Sequence, residues 1–433
     1  MVFFRVSENI NVKTTDGTVV KYLKLRNPAQ LIHSSVYITT YDEFERLNEV
    51  LNRVGDEYKT HVILEKRFRS LKSFPKELGI SNAFEYRNIK THEAQYLKEY
   101  NHYENQNPRF YLNEEWIDIH EQLKDFDKDE ISLAIIGNVG EHIGEMIASL
   151  TAIHLLHEFL SHSFEKVRLD LYIEASENKF YSRDKVILST QKYISNVYPL
   201  SLSLQKLCEY DFYIDNSSVR YSQFYKELSY VDAYLYKFGL DYKKIADKNK
   251  YNDLDITNFK IKNDLQKKIR ELKERGEKII LFHPFSADPH RSMPKEIAQK
   301  LLKKLIKKAE NYTVVTLLPI ADIKDEHFVN LTPYSKTIQD FIYIVSHMNK
   351  IITVDTSTYH IADAFFIPTV VFFNDDISHK RIAYYQQTKG INIVDESKNF
   401  SRFKFENDPL VLYKFDSWKK VKISKVMKVL ETI

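Results

Sequence analysis

From residue 131 onward the chain alternates between two patterns of apolar positions. Short apolar, β-branched and aromatic runs at ISLAIIG (131–137), VRLDLYI (167–173) and YDFYID (210–215) predict strands, because a strand buried on both sides of a parallel sheet reads as a nearly continuous apolar segment. Between the first two, EMIASLTAIHLLHEFL (145–160) predicts a helix. Past Gly276 the alternation repeats, with strands predicted at KIILFH (278–283), YTVVTLL (312–318), KIITV (350–354) and PTVVFF (368–373). The stretches 294–309, 337–347 and 357–366 between them predict helices. Strand, helix and strand in regular succession with short links is what a parallel sheet with crossover helices needs. The pattern therefore predicts an α/β chain with two Rossmann-like domains, 126–250 and 263–410.

The segments around these domains read differently. YKKIADKNKYNDLDITNFKIK (242–262) is rich in Lys, Asn and Asp and is the candidate linker. It leads into a charged helix whose apolar stripe is Leu265, Ile269 and Leu272. Residues 1–125 form an N-terminal accessory region with β-like runs at 35–39 and 61–64, and a polar, Tyr-rich surface segment at 96–110. It carries no motif, and reads either as its own domain or as an elaboration of the next. Residues 411–433 end in SWKKVKISKVMKVLETI, with Trp418, Val421, Val426, Val429, Leu430 and Ile433 near helical spacing and lysines opposite. This terminal helix either packs on the protein or lies on an anionic membrane.

Composition narrows the class. A length of 433 residues gives two or three domains, and 43% hydrophobic with 28% charged residues is the make-up of a folded globular chain. Lys plus Arg number 63 against 60 Asp plus Glu, a net charge of +3, so no overall field marks a nucleic-acid binder. The lone Cys208 excludes an intramolecular disulfide and any Cys-x2-Cys zinc site, and fits a reducing cytoplasm. MVFFRVSENINVKTTDG lacks the apolar core of a signal peptide, and no run approaches the length of a transmembrane helix. The expected location is cytoplasmic, with peripheral contact with the inner membrane as the further possibility. Glycine is scarce, 9 in all, yet Gly137, Gly140 and Gly144 fall together. A chain that avoids glycine and then concentrates it needs an unusual backbone there.

Two strand-to-helix junctions carry candidate chemistry. In VDTSTYHIADAFFIP (354–368), Asp355, Thr356 and Ser357 sit where a helix begins. Such a terminus attracts phosphate through its dipole and unpaired N–H groups, although Asp355 or Thr356 could equally serve as a plain cap. In HPFSADPHRSMPKE (283–296), Ser286, His290 and Arg291 precede a helix opened by Pro294. Together the junctions could hold a diphosphate. His154 and His157 at i, i+3 lack a third metal ligand, and Asp375 with Asp376 reads as a turn or a cation site.

These residues carry a family resemblance. HPFSADPHRSMP and VDTSTYHIADAFFIPTVVFF stand in the order and spacing of "HPG…KRWP" and "vDTGlsHlaaAlgvPtv.lf", so the chain resembles the ADP-heptose:lipopolysaccharide heptosyltransferases, with Asp355, Thr356, His360, Ala364 and Pro368 in register. GEMIASLTAIHLL aligns without a gap to that family's "GDvv.ttPaLraL", which puts Gly144 and Glu145 on its Gly-Asp pair. The chain departs from the pattern at Ser357 for Gly, Met293 for Trp, Thr151 for Pro and Glu145 for Asp.

The resemblance implies a GT-B fold, two Rossmann-like domains facing a cleft. It implies an inverting, metal-independent glycosyltransferase moving a sugar, heptose being the family's example, from a nucleotide diphosphate sugar to a bacterial surface glycan or lipopolysaccharide-type acceptor. Glu145 would be the general base, and Gly140 with Gly144 would shape its loop. Ser286 and Arg291 would bind donor phosphate, Thr356 and Ser357 would cradle the pyrophosphate, and Asp355 and His360 would face the donor sugar and phosphates. No cofactor is implied beyond the co-substrate, ADP-heptose in the family. Implied partners are a glycan, lipid-linked glycan or protein acceptor, and no nucleic acid. A protein glycosyltransferase and a noncatalytic nucleotide-sugar-binding protein are the alternatives.

Overall fold

In the computed structural model the apolar runs become the central strands of two parallel sheets. It describes residues 1–27, 34–64, 66–80, 116–217, 219–276, 278–289, 291–309, 311–317, 323–374, 378–393 and 415–433. The 96–110 segment, His290 and the Asp375–Asp376 pair lie outside the described residues. The chain divides into two units, Met1–Glu141 with Ala152–Ile245, and His142–Thr151 with Ala246–Ile433.

The first unit contains β1 (Val2–Val6), β2 (Ile10–Lys13), β3 (Val19–Tyr22), β4 (Tyr37–Thr39), β5 (Thr60–Ile63), β6 (Lys76–Glu77), β7 (Glu130–Ile136), β8 (Lys166–Ile173), β9 (Asn196–Pro199), β10 (Leu202–Ser203) and β11 (Phe212–Asp215). Its main sheet runs β6-β11-β7-β8-β9, all parallel. A second, antiparallel sheet runs β10-β4-β1-β5. Because β10 lies far along the chain and pairs with β4, the N-terminal strands share a core with the Rossmann-like part. Phe3, Ile38 and Phe68 pack with Ala134, Ile136, Tyr172 and Leu202.

At the end of β7, Gly137 and Gly140 have φ of 112° and 134°, a region that disfavours any residue with a Cβ. A Cβ on Gly137 would also meet the Ser217 backbone N at 3.1 Å. The helix that follows, Ile143–Ser161, corrects one expectation: its 19 residues are long and apolar enough to cross a membrane. Apolar stretches of this length also occur as core helices, and residues 146–153 here are all buried in the protein.

The second unit contains β12 (Lys278–His283), β13 (Tyr312–Thr316), β14 (Phe328–Asn330), β15 (Lys350–Val354), β16 (Thr369–Phe373) and β17 (Thr388–Asn392). The order is β14-β13-β12-β15-β16-β17, again parallel throughout. β12 pairs with β13 on one side and β15 on the other, so the direction of winding reverses between β12 and β15. In open α/β sheets ligands bind at the carboxyl ends of the strands beside such a reversal.

One face of this sheet is covered by the Lys295–Lys308 helix and the C-terminal helix Ile423–Leu430. Leu301, Leu302, Leu305, Trp418, Ile423, Val426 and Leu430 pack with Phe282, Ile352 and Phe372. The apolar stripe of the terminal helix is thus inside the protein and unavailable to a bilayer interior. Burial of each such side chain is worth about 1.5–3 kcal/mol, which outweighs the weak helix preference of its β-branched residues.

Candidate active site

The two junctions singled out in the sequence follow β12 and β15, the adjacent strands at the reversal. They are tied together at their roots: Thr353 Oγ1 donates to the His283 carbonyl at 2.9 Å. Thr358 lies with its hydroxyl 2.7 Å from His283 Nδ1. Burial pushes the His283 imidazole down to about 4, so it is neutral at pH 7 and acts as a strut.

After β12 the chain forms a tight loop. The Ser286 N–H donates to Ser292 Oγ at 2.8 Å, that hydroxyl lies 3.2 Å from the Ser286 carbonyl, and Ser286 Oγ accepts from the Asp288 N–H at 3.4 Å. Met293 N donates to the Pro284 carbonyl at 2.8 Å, and its side chain enters the core beneath. The loop holds Arg291 between two carboxylates, 3.3 Å from Asp288 and 3.6 Å from Asp355.

After β15, Thr356 is the N-cap of the Ser357–Ala364 helix, and its side chain makes no capping hydrogen bond. The preceding Asp355 is 4% exposed, accepts from Tyr359 OH at 3.2 Å and is hydrogen-bonded to Arg381. Asp355 is therefore engaged by tertiary partners and is not a plain helix cap. Burial works to raise its carboxyl, but the Arg381 and Arg291 guanidiniums, with smaller help from His360 and Tyr359, hold it below the usual range.

His360, one turn into the helix, is 4% exposed. Its Nδ1 is 2.5 Å from Tyr385 OH, and the Tyr359 ring lies 4.0 Å away, centroid to centroid. Burial chiefly, and the two arginines, push it down to about 3 against the opposing pull of Asp355. The other side of the ring meets Gly144, which belongs to the same unit. A Cβ there would come 2.4 Å from His360 Cδ2 and 2.7 Å from Nε2. Gly144 is thus glycine for close approach, unlike Gly137 and Gly140, whose backbone angles require it. Glu145, half-buried in the first turn of its helix, is carried next to this contact.

The structure thus brings Gly144, His360, Asp355 and Arg291 into one neighbourhood, with Ser286 in the loop that holds Arg291 and Thr356 with Ser357 opening the helix. Gly140 belongs to the first unit. Several participants carried no signal in the sequence. Arg381 and Tyr385 follow β16 without a motif, in a chain with 29 tyrosines.

Asn252, in the predicted linker, donates from its backbone to Asp363 at 3.0 Å and from its side chain to the His360 carbonyl at 3.2 Å. Thr151 Oγ1 lies 3.2 Å from the Tyr251 carbonyl and 3.3 Å from Asn252 Oδ1. A proline at 151, as in the resembling pattern, would lack that hydroxyl. Elsewhere, His154 stacks on Tyr193 with centroids 4.8 Å apart. Among the described residues no group of three or more His, Cys, Asp or Glu is placed to hold a metal ion.

Arg291 and Arg381 meet the buried Asp355 carboxylate beside a helix N-terminus whose cap side chain makes no capping bond, groups of the kind that can bind an anion. Asp288 and Asp355 orient the Arg291 guanidinium from two sides.

Neither a protein-family model nor a curated protein matches the sequence. Among solved structures, the chain is similar to the Escherichia coli ADP-heptose lipopolysaccharide heptosyltransferase II at 15% identity and a TM-score of 0.47, covering 70% of this chain and 98% of that one. It is similar to a family 9 glycosyl transferase from Veillonella parvula at 12% identity and a TM-score of 0.49, covering 71% and 98%. It is also similar to the iron-containing dodecameric glycosyltransferase TibC from enterotoxigenic E. coli, at 11% identity and a TM-score of 0.43, covering 70% and 76%.

Proposed function

We propose that the chain is a glycosyltransferase whose donor is a nucleoside diphosphate sugar, bound at the carboxyl ends of β12 and β15, and whose acceptor is a bacterial surface glycan of the lipopolysaccharide type. The observation that carries the reading is the convergence of Arg291 and Arg381 on Asp355, one residue before the open N-terminus of the Ser357–Ala364 helix. A diphosphate supplies the charge and the acceptor oxygens for such a site.

The chemistry follows from these groups. Glu145 takes the proton of the acceptor hydroxyl as that oxygen attacks the anomeric carbon. The bond from that carbon to the diphosphate oxygen breaks, and the sugar is transferred with inversion because the two events occur on opposite faces. Negative charge grows on the leaving diphosphate, where Arg291, Arg381 and the N–H groups of the helix start stabilise it. This is the work that a divalent cation does elsewhere, which supports a metal-independent reaction. Ionised Asp355 lies beneath the donor site and holds Arg291 and Arg381 in place for the diphosphate, with neutral His360 packed beside it.

A thermal-shift panel of ADP-, UDP-, GDP- and CMP-sugars tests the donor class, since a specific ligand raises apparent stability by mass action. The expected result is a shift with one nucleotide family, lost in Arg291→Ala, together with slow release of the nucleoside diphosphate. No shift with any member of the panel overturns the donor assignment. A shift without turnover against any glycan or protein acceptor reduces the reading to a binding protein.

A further inference from the structure

The helix Lys295–Lys308 and the segment 419–431 together carry eleven lysines and two glutamates, a charge of +9 in a chain whose total is +3, so the remaining residues sum to −6. Both elements bury their apolar side chains against the same face of the second unit's sheet, so their opposite sides point outward together. Lys300, Lys303, Lys304, Lys307 and Lys308 are exposed on the first, and Lys422, Lys425 and Lys428 on the second.

An ordinary solvated helix interleaves both signs, and this unit has one. Asn263–Glu274, NDLQKKIRELKE, mixes acids with bases and carries a Lys268–Glu271 pair at 3.5 Å. On the lysine face the two acids stand at the ends, Glu296 in the first turn of one helix and Glu431 just past the other, with lysines between. Its single-sign field covers two neighbouring helices, the first about 20 Å long at 1.5 Å per residue.

We infer that this face docks the protein on an anionic phospholipid surface. The composition selects that partner among polyanions. Neither segment contains arginine or an aromatic residue, so nothing there grips phosphate bidentately or stacks on a base, as nucleic-acid surfaces do. Compact, flexible lysine charges suit a diffuse sheet of headgroups, and each one near such a surface raises affinity about five-fold. The apolar stripe of the terminal helix is inside the unit, so attachment is electrostatic and reversible, without insertion.

Flotation of the full chain with phosphatidylglycerol/phosphatidylcholine vesicles and with pure phosphatidylcholine vesicles tests it. Expected are binding to the anionic vesicles only, release as salt rises to about 0.5 M, where screening shortens to a few ångströms, and at least a tenfold loss in K303E/K307E/K425E/K428E. Circular dichroism and the nucleotide-sugar thermal shift of that variant report whether it remains folded. A milder K303Q/K307Q variant with a smaller loss covers the case in which it does not. Absence of vesicle binding overturns the inference, as does equal binding by wild type and both variants, or tighter binding to a single-stranded oligonucleotide than to vesicles at the same salt.

Discussion

Gly144 lies against His360 so closely that a Cβ on the glycine would sit 2.4 Å from the imidazole Cδ2. The ring cannot simply turn away. Tyr385 holds its Nδ1, Asn252 holds its carbonyl, and Tyr359 covers one side. Gly144→Ala is therefore expected to cost stability by about 1–3 kcal/mol through overpacking, although alanine is the better helix former. It should also weaken nucleotide-sugar binding. A denaturant melt with unchanged or raised stability would show that the ring yields freely and that the contact constrains nothing.

Arg381 is the main cation compensating the buried Asp355. Arg381→Ala is expected to lower nucleoside diphosphate affinity by about 10–100-fold, the worth of a charge-assisted hydrogen bond, as read by titration calorimetry. Asp355 itself makes stability depend on acid. Its folded value lies below the ordinary carboxyl value of 3.8, so its contribution is complete above that value and is lost as pH falls through the folded one. Asp355→Asn should remove this part of the acid-unfolding slope while lowering stability at neutral pH. An acid slope identical to wild type would refute the ionised assignment.

Glu145→Gln keeps the shape of the side chain and removes its basicity. Sugar transfer is expected to fall by about 10²–10⁴-fold, with nucleotide-sugar binding retained. Transfer at the wild-type rate would remove Glu145 from the mechanism, whatever the donor proves to be.

Asp363 has the opposite linkage. Burial pushes its carboxyl from 3.8 up to about 7, against the opposing hydrogen bond from Asn252 N–H. The folded protein then binds this proton more tightly than the unfolded chain, so stability declines as pH rises from near 3.8 to about 7 and is level above. Asp363→Asn should flatten the decline, matching wild type in acid and exceeding it at pH 8. Urea melts across that range decide the matter, and parallel curves for the two proteins would sink it.

The central strands and most helices of both sheets were legible in the chain because burial leaves a local, periodic imprint. KIITV became β15 and KIILFH became β12, residue for residue. Short edge strands such as β9, β14 and β17 left no such imprint, since they alternate little and bury little. The helix start at 356–357 and the Gly144–Glu145 pair were visible as junctions of two patterns. Tertiary structure alone decided what surrounds them. Arg381 reaches Asp355 from 26 positions away and Asn252 reaches His360 from 108, and β4 finds its partner in β10. Such pairings depend on how crossovers are wound, a property of the whole sheet that no window of sequence contains. The same holds for the lysines. Each is plain in the sequence, but only packing on one sheet face turns two helices into one surface.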